Sequence, residues 1–144
     1  MIRYLDSSAL VKRYVPESGS DELRVIFADP ENLVTSRLTW VEVFSALARR
    51  LRERSMTPPQ HASGNTSLSA DFIGFGVIEI SREVAERAAQ LCETHGLRSG
   101  DSIHLSSALL IRGEGAREVV FITADRSLAR ISEREGLRPL VPGE

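Results

Sequence analysis

The sequence predicts an α/β fold: a single domain over residues 1–144 whose central, mostly parallel β-sheet is flanked by helices on both faces. Three observations predict it. Short apolar runs alternate with helical stretches from one end of the chain to the other. No two-residue hairpin signal joins one run to the next, so the strands need long crossovers, which make them parallel. With 144 residues, 42% hydrophobic and 26% charged, the chain has the length and make-up to bury one core.

Ile2–Leu5 reads as a short buried strand ending at Asp6-Ser7-Ser8. A brief helix over Ala9–Tyr14 stops at Pro16, and a second over Ser20–Ala28 is closed by Pro30. Leu33–Thr35 is the second strand. Trp40, Phe44, Leu47, Ala48 and Leu51 then recur at helical spacing, and Trp40, with its apolar neighbours, belongs to the core rather than to a base-stacking surface. Ser55–Ala70 is the least regular stretch. Pro58-Pro59 suits a first helical turn, but Gly64-Asn65 and the surrounding serines weaken a helix. The expectation there is a poorly formed helix from Pro59 to Phe72, or a loop and a shorter helix. Val77–Ile80 is the third strand. Arg82–Thr94 is a helix with Val84, Ala88, Leu91 and Cys92 on one face, stopped by Gly96. Ser102–Ile111 is another, ended by Gly113; Val119–Ile122 is the fourth strand. Arg126–Glu135 is a last helix stopped by Gly136, and Leu137–Val141 a fifth strand.

The single cysteine excludes an internal disulfide and a multi-cysteine metal cluster, and is compatible with a reducing cytoplasm. No apolar stretch approaches a bilayer span and MIRYLDSS runs straight into a strand, so the expected location is cytoplasmic, without signal peptide or membrane partner.

The chemistry lies in four carboxylates. Asp6 and Asp125 follow strand-like runs, and Glu42 and Asp101 fall in the first turn of predicted helices. In an alternating α/β chain such positions gather at one rim of the sheet, where ligands bind. Each has a plainer explanation alone: Asp6 and Asp125 as helix caps, Asp101 as a complement to a helix dipole. Glu42, beside Trp40 and Phe44, is harder to place without a cation. Four such groups at one rim would repel each other unless a divalent ion lay among them. Magnesium or manganese fits an all-oxygen set. Zinc does not, with one cysteine and with His61, His95 and His104 lacking ligand spacing. Setting the four acids aside turns the formal charge of −2 into +2 for the remaining surface, which suits an anionic substrate.

Rival magnesium chemistries lack their motifs. No G-x-x-x-x-G-K-[ST] loop and no glycine-rich turn after the first strand is present. Ser8 stands where a phosphoaspartyl phosphatase needs a second Asp, and the only lysine, Lys12, is not at the late strand end that a receiver domain requires. Metal-assisted phosphodiester cleavage remains.

Four segments then converge on one likeness: Tyr4-Leu5-Asp6-Ser7-Ser8-Ala9-Leu10, Val41-Glu42-Val43, Leu97-Arg98-Ser99-Gly100-Asp101-Ser102-Ile103-His104-Leu105 and Ile122-Thr123-Ala124-Asp125-Arg126-Ser127-Leu128. In this order they resemble the PIN domain, and more closely its VapC-type toxin ribonucleases, over essentially the whole chain. The resemblance implies a parallel sheet with flanking helices, a homodimer, Mg²⁺- or Mn²⁺-dependent RNA cleavage, and a small VapB-type antitoxin whose tail blocks the site. It implies that Asp6, Glu42, Asp101 and Asp125 are the metal-binding acids, with Asp6 and Asp101 as direct ligands. Glu42 and Asp125 would act through water or at a second metal position. Ser7 or Ser8, and Thr123, match small hydroxyl positions that hydrogen-bond beside the site. Two departures stand out. Ser99-Gly100 replaces a bulkier residue common in relatives, which predicts a looser loop, and the polar Ser55–Ala70 stretch leaves dimer and antitoxin contacts there open. A nuclease without antitoxin, and a catalytically silent binding module, are the competing readings.

Lys12, Arg13 and Arg49 are candidate RNA contacts, although Arg49, Arg50, Arg52 and Arg54 spread around their helix rather than forming a stripe. His104, one turn after Asp101, reads as a packed or hydrogen-bonding histidine in preference to a general base or ligand.

Overall fold

The computed structural model describes residues 1–113 and 117–144. Five strands among them, β1 (Ile2–Leu5), β2 (Leu33–Ser36), β3 (Gly76–Ile78), β4 (Val119–Ile122) and β5 (Arg138–Leu140), form one sheet in the order β3-β2-β1-β4-β5. Every pairing is parallel, with Tyr4 beside Val34 and Phe121, and Leu5 beside Ile122. The order runs outward from β1 in both directions, so a switch point lies between β1 and β4. In open parallel sheets the crevice beyond the strand carboxyl ends at that point is where ligands sit.

Alternation along the strands splits the core into two layers. Leu5, Val120 and Ile122 face α1 (Ser7–Leu10), α2 (Ser20–Ala28), α3 (Arg37–Arg52) and α4 (Pro58–Gly74), meeting Leu10, Leu23, Leu47 and Leu68. Tyr4, Val119 and Phe121 face α5 (Arg82–His95), α6 (Ser99–Gly113) and α7 (Arg126–Arg134), meeting Leu91, Leu105 and Leu128. Trp40 packs edge-on against Phe44 and Phe72 at 4.6 and 5.1 Å between centroids, in the core as expected. Cys92 is half-buried, its thiol donating to Ser102 Oγ at 3.1 Å. Gly96 ends α5 at φ +68°, a conformation a side chain rarely adopts.

Residues 55–70 depart from expectation: α4 is a continuous helix of 17 residues. Its start is a capping box, in which Thr57 Oγ1 accepts from Gln60 N–H and Gln60 Oε1 accepts from Thr57 N–H, with Pro58 in the first turn. Gly64, Leu68 and Phe72, four apart, are its buried edge against α3. The hydroxyls of Thr66 and Ser69 bond back to the carbonyls of Ala62 and Asn65, so they compete little with the helix. Ser99-Gly100 is likewise no loose loop but the first turn of α6. The strands β3 and β5 are shorter than predicted. No helix among the described residues is long and apolar enough to cross a membrane.

Candidate active site

Asp6 leaves β1 still tied to the sheet, its N–H donating to Ile122 O at 2.9 Å. It stands at the N-cap of α1, yet its side chain caps nothing. Instead Oδ2 accepts from Ser8 Oγ at 2.6 Å and from Thr123 Oγ1 at 2.7 Å. A carboxylate only 2% exposed demands such partners. Ser8 and Thr123 also brace the end of β4, accepting from the N–H groups of Ala124 (3.0 Å) and Asp125 (3.1 Å). The two hydroxyls thus couple β1 to β4 where the crevice opens.

Asp125 does what a strand-to-helix aspartate ordinarily does: its Oδ1 accepts from Leu128 N–H at 3.1 Å and caps α7. Glu42 is the sixth residue of α3, one turn deeper than predicted, because the helix starts at Arg37 with Ser36 as its cap. Its Oε1 accepts from Ser7 Oγ at 2.9 Å and lies 2.5 Å from His104 Nε2. His104 is 1% exposed; its Nδ1 is 2.8 Å from Tyr4 Oη and its Nε2 3.4 Å from Asp6 Oδ1. His104 is packed and hydrogen-bonded as the sequence predicted, but its partners are two of the four acids. The signal available in advance was its position one turn after Asp101.

Burial works against both partners of this contact, and the contact overrides it. His104 is pulled down by desolvation, but the Asp6 charge and the bond and charge of Glu42 raise it above the usual histidine range. Glu42 is raised by burial, yet the His104 bond and charge and the Ser7 hydroxyl hold it below the usual carboxylate range. Asp101, third residue of α6 and half-buried, goes the other way. Desolvation, then the charges of Asp6 and Asp125, push it up, against weaker relief from Arg98 and His104.

The charged form of Asp101 therefore opposes folding near neutral pH. Its folded pKa lies above its unfolded one, so the chain gains stability as pH falls through the raised value. Asp101→Asn removes the same penalty. The metal-free variant is expected to melt about 2 °C above the parent at neutral pH, a rise kept small by solvent screening. A lower melting temperature by calorimetry overturns this.

Asp101 thus feels the charges of Asp6 and Asp125, and Glu42 joins Asp6 through His104. The set is not a closed cage: among the described residues no three His, Cys, Asp or Glu side chains stand close enough to hold one ion as they are. All-oxygen donors with one destabilised, half-buried carboxylate suit a hard ion that binds one or two carboxylates and keeps its water.

The basic candidates fare differently. Arg13, although exposed, donates to both oxygens of Asp71, at 2.7 and 3.0 Å, and lies 3.7 Å over the Phe27 ring. Lys12 donates to Ser18 O at 2.8 Å and pairs with Glu17. Arg50 pairs with Glu17 as well, whereas Arg49 is exposed. The partners of Arg13 and Arg50 lie 58 and 33 positions away, which a reading of local charge does not foresee, whereas Glu17 is only five residues from Lys12.

Comparison with known proteins places the fold. Ribonuclease VapC45 of Mycobacterium tuberculosis is 30% identical over 135 residues, covering 94% of this chain and 92% of that protein. Among solved structures, a toxin–antitoxin complex from Klebsiella pneumoniae matches with TM-score 0.66 and 23% identity over 97% of each chain. FitAcB from Neisseria gonorrhoeae matches with TM-score 0.73 and 15% identity over 98% of each. The family model for the PIN domain matches residues 3–134, a span that holds Asp6, Glu42, Asp101 and Asp125, and this chain belongs to the PIN domain family.

Proposed function

We propose that this protein is a divalent-metal-dependent endoribonuclease that hydrolyses RNA phosphodiester bonds and acts as the toxin of a toxin–antitoxin pair. The observation that carries the reading is the buried Asp6 at the β1–β4 crevice, braced by Ser8 and Thr123, with Asp101 destabilised by burial and then by the Asp6 and Asp125 charges. The relatives named ribonuclease and toxin–antitoxin complex point to the substrate and the partner.

In this reading Asp6 and Asp101 hold Mg²⁺ or Mn²⁺ directly, and Glu42 and Asp125 act through its water or at a second position. When bound, the ion supplies an activated water and stabilises charge on the leaving oxygen. The chain's own residues do the rest. Ser8 and Thr123 fix the Asp6 carboxylate by two hydroxyl donors, so it need not reorganise when the ion arrives. Ser7 and His104 hold Glu42 through one oxygen. A single-stranded or loop RNA is the favoured substrate, because its backbone can be presented to a recessed acidic pocket. A homodimer and a small antitoxin of the VapB type complete the assembly. Val41 and Ile73, 60% and 89% exposed on α3 and α4, are apolar surface available for such contacts.

Purified protein with end-labelled RNA tests the reading. Cleavage is expected with Mg²⁺ or Mn²⁺, to fall by about 10³-fold or more in EDTA, and to return when the ion is restored in excess, since the ion contributes several kcal/mol to the transition state. A small co-expressed partner that copurifies is expected to suppress it. Undiminished cleavage in EDTA sinks the metal mechanism.

A further inference from the structure

We infer that His104 and Gly100, one turn apart on α6, are positioning residues that clamp the Glu42 carboxylate and leave only its Oε2 for the metal or the metal's water. The inference rests on Glu42 belonging to the catalytic site. It assigns a task to two residues outside the four acids.

Three observations carry it. First, two donors converge on one oxygen: Ser7 Oγ at 2.9 Å and His104 Nε2 at 2.5 Å both reach Glu42 Oε1. Oε1 is thereby occupied, although the Glu42 side chain is 36% exposed and faces solvent that could have served it. Second, the other oxygen lies over the bare Cα of Gly100: a Cβ built there would sit 3.2 Å from Glu42 Oε2, tighter than ordinary contact. Residues four apart share a helix face, so α6 meets the carboxylate at both ends, with Asp101 alongside. Third, His104 itself is anchored. Its Nδ1 lies 2.8 Å from Tyr4 Oη, and the Tyr4 ring stacks on Phe121 at 5.4 Å with 5° between planes. Tyr4 and Phe121 are fully buried neighbours across β1 and β4. The imidazole is thus set by the centre of the sheet, and it transmits that position to Glu42.

A buried histidine that merely filled space would need a partner for each nitrogen, not a functional carboxylate that a serine already serves. The glycine has the same logic: any side chain at position 100 would push Glu42 off its place.

The test uses the full chain, with Mn²⁺ affinity by calorimetry, melting temperature, and kcat and KM on a labelled RNA. His104→Phe is expected to weaken Mn²⁺ binding and lower kcat by about 10–100-fold, with KM little changed, the usual loss when a group that orients a metal ligand is removed. His104→Gln, whose amide N–H stands in for Nε2–H, is expected to recover most of it. Gly100→Ala is expected to lower kcat by about 3–10-fold, because it displaces Glu42 by a fraction of an ångström. Its melting temperature should stay at or above the parent's, since alanine suits a helix better than glycine. In a Glu42→Gln background the further loss from either substitution should shrink below about twofold, the mark of residues acting through one another. Losses that persist undiminished in that background overturn the clamp. So does His104→Gln performing no better than His104→Phe, Gly100→Ala matching the parent, or a parent chain that binds no Mn²⁺. If His104→Phe fails to fold, Gly100→Ala and its cycle with Glu42→Gln decide the matter. A parent that binds Mn²⁺ but cuts no RNA counts against the endoribonuclease reading, while the calorimetric cycle still judges the clamp.

Discussion

Asp6→Asn is expected to slow RNA cleavage by about 10³-fold or more while leaving the fold intact, the scale on which a metal's contribution of several kcal/mol acts. The substitution keeps the shape of the side chain. The hydroxyls of Ser8 and Thr123, both within 2.7 Å of Oδ2, can still donate to the amide oxygen. What disappears is the charge. An amide is a poor ligand for a hard divalent ion, and the lost charge is the one at the head of β1, where the crevice opens. The structural cost is small for the same reason. The variant buries an amide in place of an ion and relieves the repulsion felt by Asp101. Cleavage should therefore fall while the melting temperature stays at or above the parent's in the absence of metal. The decisive measurement is the single-turnover rate beside a thermal melt. Cleavage within tenfold of the parent, by a folded variant, removes Asp6 from the mechanism.

Phe121→Ala is expected to have the largest effect on stability, a loss of about 3–5 kcal/mol, the usual range for a fully buried aromatic. Phe121 is 0% exposed on β4, stacked on Tyr4, and packed in the layer that holds Leu105 and Leu128. The neighbouring strands β1 and β5 cannot close over the void without breaking their parallel register with β4. Domains of this size have about 5–15 kcal/mol in all, so the variant sits near the edge of folding. The guanidinium midpoint should drop sharply with the slope unchanged. At temperatures where the variant remains folded, cleavage should also slow, because Tyr4, which holds His104, loses the ring it stacks on. A loss below about 1.5 kcal/mol would show that the layer tolerates collapse at this point.

How far the chain could be read in advance depends on distance along it. The alternation of strands and helices, the two-layer core and the parallel pairing follow from spacings of two to four residues, and those are visible in any short window. Asp6, Asp101 and Asp125 stand next to a strand end or helix start as read from the sequence, whereas Glu42 lies a turn deeper in α3, because Ser36 caps a helix that begins at Arg37. α4 was misjudged because intrinsic propensity counts Gly64 and the serines against a helix. The Thr57–Gln60 capping box and the Gly64-Leu68-Phe72 edge against α3 outweigh them, and both spacings were present to be weighed. The partners of the basic residues were illegible for a different reason. Arg13 finds Asp71 across 58 positions, and nothing near Arg13 announces that partner.

The amino-acid order alone determined which segments become strands, which become helices, and that carboxylates sit at their junctions, because steric and hydrophobic periodicity are local properties of a chain. Only the folded arrangement decided what those carboxylates touch. Glu42 and His104 are 62 positions apart, Asp6 and Thr123 are 117, and each pair meets only because the crossovers bring β1, β4, α3 and α6 to one rim. Hydrogen bonds and charges act over a few ångströms, so the partners of each acid are set by that convergence and by no property of the residues in isolation.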